Sequence, residues 1–339
     1  MNDSRMDAAS VNPVNLVTTI VVNWNGRAYL DKCLTSLLEQ TYQAQEIILV
    51  DNGSTDGSVD YVSTTYPTIK VIRLTQNIGF AAANNVAIRD SAGGYVALLN
   101  NDAYAEPDWL ANMIEVADRD PELGMIACKM LFAHQPQRIN SAGLALDWAG
   151  FCWDWRGGEL DDPTEAELQE CFGPTGGAAL YRHAMLEDIG LLDEDFFAYS
   201  EDADLAWRAQ RCGWHCLYVP TARVYHAASA TSGQGSKFKS YLLGRSKVWL
   251  LVKNIPAGRY VGWMALVILY DLLTVIYGLI AHGDWAALKG RWAGWSKVWP
   301  MLRKRRRLRT RTNAYLRLIR PLELPWKISA RFRHLTPQT

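Results

Sequence analysis

Net charge is the first thing this sequence lacks: 35 Lys and Arg stand against 35 Asp and Glu in 339 residues. A chain so balanced is neither a generally basic nucleic-acid binder nor a carrier of a long acidic tail. Met1 to Asn15 hold no apolar stretch, which argues against a cleaved secretory signal. The six cysteines, at 33, 128, 152, 171, 212 and 216, follow no framework spacing and read as reduced thiols in a cytosolic compartment. Cys212-x-x-x-Cys216 has no second pair nearby, so it falls short of the ligands a structural zinc needs. There is no internal repeat, and Arg303-Lys-Arg-Arg-Arg307 is the sole low-complexity stretch. Neither G-x-G-x-x-G after the first strand nor G-x-x-x-x-G-K-[ST] anywhere is present, which excludes a Rossmann fingerprint and a P-loop.

What is present is hydrophobic and unevenly charged. Nearly half the residues, 49%, are hydrophobic and 14 are Trp, so most of the chain has the means to fold. Lys289 to Thr339 carries 15 basic residues and one acid, Glu323, a local balance of +14. The first 288 residues carry the opposite balance, −14. We read a disordered N-terminus over 1–15, a catalytic domain over 16–235 and a helical, basic region over 236–339.

The domain reads as alternating strands and helices. Buried strands are expected at Leu16–Asn23, Glu46–Val50, Ile69–Leu74 and Tyr95–Leu99, with helices at Tyr29–Gln40, after Asp56, at Gly79–Arg89 and from Pro107 to Ala117. Such alternation predicts an α/β fold, a mostly parallel sheet flanked by helices, that binds ligands beyond the carboxyl ends of its strands. Asn23-Trp24-Asn25, Asp51-Asn52 and Asn100-Asn101-Asp102 sit at three such ends. After residue 120 the alternation stops. Met125–Phe132, Ala145–Trp155, Ala178–Arg182, Trp214–Val219 and Arg223–His226 read as strands, and Gly157–Glu170 as an acidic, weakly structured stretch. Asp202–Cys212 and Tyr241–Val252 read as helices, the second with a basic and an apolar face.

Three groups of residues carry the chemistry. Asp102 follows an apolar strand beside Asn100 and Asn101, a hard oxygen set suited to Mn²⁺ or Mg²⁺ on a diphosphate; a turn and helix cap explains it equally well. Ser200-Glu201-Asp202-Ala203-Asp204 places three carboxylates at a helix start, where the dipole favours acids. Three are more than capping needs, and crowding of like charges raises one toward the range of a general base. His226 ends a strand, as a ligand or a structural residue.

Taken in order, Val50-Asp-Asn-Gly-Ser-Thr-Asp-Gly-Ser58, Asn77-Ile-Gly-Phe-Ala81 with Asn84-Asn85, and Leu98-Leu-Asn-Asn-Asp102 with Pro107-Asp-Trp-Leu110 resemble inverting glycosyltransferase family 2. Gly190-Leu-Leu-Asp-Glu-Asp-Phe-Phe197, Glu201-Asp-Ala-Asp-Leu205 with Arg208, and Val219-Pro220 before Val224-Tyr-His226 extend the likeness, over roughly residues 16 to 255. The branch most resembled is the bacterial rhamnosyltransferase-like one. The resemblance implies a GT-A nucleotide-sugar-binding fold. It implies Asn23, Trp24 and Asn25 around the base, Asp51 and Asn52 at the nucleoside, and Asn77, Gly79, Phe80, Asn84 and Asn85 bordering the nucleotide. Asn101 and Asp102 stand at the family's D-x-D motif, with Asp102 and His226 toward the metal, and Gly176 and Gly177 lie near the acceptor. Asp202 would be the base beside Glu201, with Asp204 competing for that role. Asn100 replaces the first Asp of D-x-D, and Ala81-Ala82-Ala83 stands where glycine-rich spacing is usual.

The implied activity is transfer of a sugar, rhamnose in the branch resembled, from a dTDP- or UDP-linked donor to a glycan or lipid-linked acceptor in cell-surface polysaccharide synthesis. A weakened scaffold of a polysaccharide assembly complex is the alternative; a nucleotidyltransferase would need a phosphate-cradling loop that is missing. Val261–Ala281 is long enough to span a bilayer, but Asp271 sits at its centre, and one span cannot leave both the domain and the Arg-rich tail inside. Trp263, Trp285, Trp292, Trp295 and Trp299, with Arg303–Arg311, suit an anionic inner membrane surface, and a soluble homo-oligomer with the tail on the acidic domain is the other reading. No nucleic-acid partner is expected.

Overall fold

The computed structural model describes residues 15–227, 236–255, 261–322, 324 and 327, with the backbone alone at 261–266 and 282. The segment 1–14 and the side chain of Trp263, both read above, lie outside the described residues.

The first half is built as expected. β1 (Val17–Asn23), β2 (Gln45–Asp51), β3 (Lys70–Arg73) and β4 (Tyr95–Leu99) are joined by α1 (Arg27–Leu38), α2 (Ser58–Thr65) and α3 (Phe80–Arg89). All four strands are parallel, β1 lying between β2 and β4. The apolar residues of β1, β2 and β4 are packed on both faces, since α3 covers one side and α1 the other, so these strands read as near-continuous hydrophobic runs; β3, at the sheet's edge, is only half-buried. Gly57, not Asp56, is the N-cap of α2, but the Asp56 carboxylate accepts from Ser58 N at 3.1 Å and Arg27 N at 2.9 Å, tying the starts of α2 and α1 together.

β5 (Ala103–Ala105) then leads to α4 (Trp109–Ala117), which starts two residues beyond Pro107. β6 (Leu123–Phe132) turns into β7 (Gln135–Ser141), a polar strand missed in the sequence because Pro136 and the lack of apolar alternation hide it. The expected strand Ala145–Trp155 is two short ones, β8 (Leu144–Leu146) and β9 (Cys152–Asp154). The Asp147 carboxylate makes the break, accepting from Ala149 N and Phe151 N at 2.8 and 2.9 Å. After β10 (Gln169–Glu170) come β11 (Ala178–Arg182), α5 (His183–Ile189) and α6 (Glu201–Cys212). The two strands expected at 214–226 are one, β12 (His215–His226), with a bulge between Val219 and Arg223.

Ten of the twelve strands form one mixed sheet, whose main order is β10-β12-β6-β11-β4-β1-β2-β3, and β8 and β9 pair apart from it. β11 runs antiparallel to both neighbours, β4 and β6, so its beginning lies at the edge where β1, β2, β4 and β12 end. The acidic stretch 157–170 is pinned across the sheet by the fully buried Lys129, 2.8 Å from Asp161 and 3.1 Å from Glu165.

The C-terminal region is helical: α7 (Lys237–Asn254), α8 (Val261–His282), α9 (Trp285–Ser296) and α10 (Val298–Arg305). Val248, Trp249, Leu250, Met301 and Tyr315 join the same buried cluster as Phe172, Phe196 and Trp207, so these helices share the domain's core. The basic face expected of α7 does not face water: Lys247 and Lys253 are buried. α7 and α9 cross with backbones nearly touching. A Cβ on Gly244 would lie 2.4 Å from Ala287 O, one on Gly290 2.0 Å from Tyr241 O, and one on Gly294 2.9 Å from Val248 Cβ. The apolar run is α8, and Asp271 does not face lipid; it pairs with Lys247 at 2.8 Å and Arg291 at 2.9 Å. Among the described residues no helix is long and apolar enough to cross a membrane.

Candidate active site

The sheet edge where β1, β2, β4 and β12 end gathers most of the polar residues picked from the sequence. Asn23, fully buried, is the hub on the left-hand side: its amide donates to Asp51 Oδ1 at 3.3 Å and Ser54 Oγ at 3.2 Å, while its Oδ1 accepts from Asn101 at 2.8 Å. Asp51 Oδ2 accepts from Ser54 N at 3.0 Å, closing the turn after β2. Gly26 lets the hub close, because a Cβ there would sit 2.0 Å from Asn101 Nδ2 and 2.7 Å from Asn23 Oδ1. Asn25, left-handed at φ 51°, accepts from Thr55 N at 2.8 Å, and Trp24 stands 41% exposed at the rim.

Asn52 shapes the next wall. Its amide donates to Asn77 Oδ1 at 3.0 Å and Gly79 O at 3.3 Å, and its Oδ1 accepts from Ile78 N at 2.9 Å. Asn77 Oδ1 also accepts from Gly79 N at 2.9 Å, which sets the entry to α3. Asn84 and Asn85 lie deeper. Asn84 donates to Phe80 O at 2.9 Å, and Asn85 bonds Leu192 through both ends of its amide, at 2.8 and 3.1 Å, and Glu194 at 2.9 Å. Both are buried, with their amides engaged inside the protein.

On the other side, Asp102 and His226 meet: Oδ1 lies 3.1 Å from Nε2. His226 Nδ1 lies 3.0 Å from Asn140 Oδ1, and Nε2 faces the Asn100 amide at 3.3 Å and the Asp102 carboxylate. An imidazole nitrogen beside a carboxylate oxygen is a donor pair that suits a divalent cation. No group of three His, Cys, Asp or Glu side chains that could hold a metal occurs among the described residues, so the protein offers a carboxylate and an imidazole.

Gly176 and Gly177 join this pair to the acids of α6. Asn100 N donates to Gly177 O at 2.9 Å, and Gly176 N donates to Asp202 Oδ2 at 2.9 Å. A Cβ on Gly176 would lie 3.2 Å from the Phe80 ring, which places Phe80 at the same point. Burial pushes the Asp202 carboxyl above the usual range, against two backbone N–H groups that favour its charge. Burial pushes Glu201 well up too, the neighbouring Asp202 adding to it, and Glu201 Oε2 is buried without a hydrogen bond.

Asp204 belongs elsewhere. It is fully buried, with Oδ2 2.9 Å from Arg208 Nε and 2.7 Å from Lys253 Nζ, and Oδ1 accepting from Asn254 at 2.8 Å. Those cations outweigh burial and hold its carboxyl down at about 2. Asp204 is thus saturated by Arg208, Lys253 and Asn254 and faces α7, whereas Asp202 faces Gly176.

Sequence reasoning missed Asp154 and Asn140. Burial raises the Asp154 carboxyl, opposed by Ser141, Lys239 and His226, and Asp154 in turn raises Asp202. The readable signal was an acid inside the aromatic run Phe151-Cys-Trp-Asp-Trp155. Asn140 gave no signal, since its role depends on a histidine 86 positions away.

The sequence profile described as "Glycosyl transferase family 2" matches residues 18–190, just over half of the chain. An N-acetylglucosaminyl-diphospho-decaprenol L-rhamnosyltransferase of Mycobacterium tuberculosis is 25% identical over 74% of this chain and 86% of its own length. A putative glycosyltransferase EpsH of Bacillus subtilis is 33% identical over 62% of this chain and 60% of its own. Among solved structures, S. aureus TarS 1–349 superposes with a TM-score of 0.56 at 16% identity, covering 85% of this chain and 81% of that one. A mannosyltransferase of Pyrobaculum calidifontis, solved with GDP-Man and Mn²⁺, gives 0.53 at 19% identity, covering 88% and 87%. At these identities the structures speak for the fold.

Proposed function

The chain belongs to glycosyl transferase family 2 and has the GT-A arrangement of a mixed sheet between helices; on that premise we propose that it transfers a sugar, with inversion, from a nucleoside diphosphate to a hydroxyl acceptor. The observation that carries the reading is the Gly176-Gly177 step. One glycine holds a carboxylate whose pKa burial has raised, and the next is bonded to Asn100 beside the Asp102–His226 pair. The candidate base and the Asp102–His226 pair are thereby tied to successive residues of one loop.

In this reading the Asn23 hub and Trp24 bound the nucleoside, with Trp24 offering a face to the base. Asp51 uses one lone pair on each oxygen internally and keeps the others for a ribose hydroxyl or base N–H. Asn52, Asn77, Asn84 and Asn85 shape the wall around Gly79 and Phe80. Asp102 and His226 would hold Mn²⁺ or Mg²⁺, with Asn140 fixing the imidazole. Such an ion, when bound, offsets charge building on the leaving diphosphate. Asp202 takes the proton of the acceptor hydroxyl while that oxygen attacks the anomeric carbon opposite the leaving group, so one displacement inverts the centre. The name of the Mycobacterium relative supports rhamnose as the sugar and a lipid-linked acceptor; dTDP or UDP as the donor nucleotide, and a glycan as the other acceptor, belong to this reading through the branch resembled. Thermal shift with UDP, dTDP and GDP, each with and without Mn²⁺, tests the donor class. Stabilisation by one nucleotide that depends on metal is expected; stabilisation without any donor hydrolysis or transfer would favour the scaffold reading.

We further propose that the acceptor is met at an anionic membrane surface. α8 to α10 expose Ile280 (82%), Trp292 (80%) and Trp299 (68%), with Leu269, Leu272 and Ile276 beside them, while Asp271 turns inward. Fewer of the tail cations are available than the composition suggested: Lys304 pairs with Asp193 and Asp195, and Arg311 and Arg309 with Asp188. Arg303, Arg306 and Arg307 remain exposed for head groups, at about 1 kcal/mol each. Flotation with phosphatidylglycerol vesicles should carry the chain, and Trp292→Ser with Trp299→Ser should release it. A stable dimer that ignores vesicles would assign this surface to a second copy instead.

A further inference from the structure

The turn that delivers Asp202 is strained. Phe197, Tyr199 and Ser200, none of them glycine, have φ of 65°, 66° and 72°, and Phe197 with ψ −65° is a strained γ-turn residue. Left-handed non-glycine residues of this kind are strained and persist only where their surroundings over-determine them. Three within four positions immediately before Glu201 need an external brace.

The brace comes from the C-terminal helices. Lys253 of α7, 3% exposed, pairs with the carboxylates on both sides of the strained turn: Asp193 at 2.6 Å before it and Asp204 at 2.7 Å after it. Arg245, from the same helix, donates to Phe196 O at 2.5 Å, and the Phe196 ring meets Trp249 edge-on at 6.0 Å. Lys304 of α10 reaches Asp195 at 2.7 Å and also bonds Asp193. Arg208 secures the approach by donating to the carbonyls of Ile189, Gly190 and Leu191 at 2.7–2.9 Å. Among the described residues only Lys253 pairs with the acids at both ends.

We propose that Lys253 is a positioning residue for the transfer reaction: by clamping Asp193 to Asp204 it holds the strained turn shut and sets Asp202 against Gly176. The inference rests on the reading of Asp202 as the base. It also assigns the C-terminal region a task inside the catalytic domain, apart from any surface it meets. Asp204 keeps Arg208, and Asp193 keeps Lys304, when Lys253 loses its charge, so the fold has other partners to fall back on.

The test is hydrogen–deuterium exchange on Lys253→Met and Lys253→Arg, with kinetics alongside. In Lys253→Met, amides of residues 194–202 should exchange at least ~10-fold faster while those of β1, β2 and β4 keep the wild-type rate. Stabilisation by the nucleotide and Mn²⁺ should be unchanged. The turnover number should fall about 10- to 100-fold with donor KM within about 2-fold, the signature of a displaced base. Lys253→Arg should restore most of both. Unchanged exchange in 194–202, or equal acceleration throughout the domain, would overturn the proposal. If Lys253→Met does not fold, Lys253→Met with Asp204→Asn removes opposite charges together and takes its place. Failure of the wild-type chain to transfer any sugar would strike the transferase reading, while the exchange result still decides whether Lys253 clamps the turn.

Discussion

On the side of the cleft made by β1, β2 and β4, amide meets amide: Asn23, Asn52, Asn77 and Asn101 satisfy one another and the turns they sit on. On the side made by α6, carboxylates face cations from helices far along the chain, across a turn with three left-handed residues. The first wall is mostly amide, with Asp51 as its charged member, and is drawn from the first 101 residues. The second is charged and strained, and is completed from outside the region the family profile covers. Amide networks hold their geometry over a wide pH range. An ion-paired brace can position a base within a fraction of an ångström, but it depends on protonation and on long-range packing.

Substitutions should separate the two walls. The largest effect is expected from Asp202→Asn, which should lower turnover by at least ~10²-fold and leave the nucleotide dissociation constant close to wild type. Near-normal turnover in a single-turnover assay would remove Asp202 from the mechanism. Gly26→Ala attacks the amide wall: the new Cβ must displace the Asn101 amide, at a cost of about 1–3 kcal/mol. Nucleotide-dependent stabilisation should shrink while exchange in 194–202 stays unchanged. A nucleotide response equal to wild type would show that the hub does not shape the donor site. The smallest effect is acid stability. The carboxyl of Asp204 is depressed to about 2 in the folded chain, below the ordinary 3.8. Its contribution of about 2 kcal/mol is therefore complete above pH 4 and fades as pH falls toward 2. Urea unfolding from pH 5 to 2.5 should show a shallower loss in Asp204→Asn than in wild type. Identical slopes would mean that Asp204 is not carrying the ion pairs described.

The amide wall was largely legible in the sequence and the charged one was not. β1, β2 and β4 came out within a residue or two because apolar runs ending in Asn-Gly and Asp-Asn turns carry both strand and boundary. Asp202 and Asp204 were inseparable because residues two apart on a helix point to different sides, and nothing local says which side is the cleft. The deciding cation, Lys253, is 49 positions further on. The tail was half legible. Its excess of positive charge was plain, but Lys304, Arg311 and Arg317 answering Asp193, Asp188 and Glu170 is a tertiary fact. The neutral total therefore reflects cross-pairing between the two ends of the chain as well as coincidence of composition.

The crossing of α7 and α9 has a consequence for recognising kindred chains. Gly244, Gly290 and Gly294 each stand where a methyl group would strike the opposite helix. Hydropathy around them gives no clear face to either helix. A spacing of three residues between two glycines on one helix, matched to a single glycine some 46 positions earlier, is hard to preserve by chance. Chains that retain that trio should retain the brace on the turn before α6 even where their tails share no other resemblance, and chains that lose it should hold that turn by some other device.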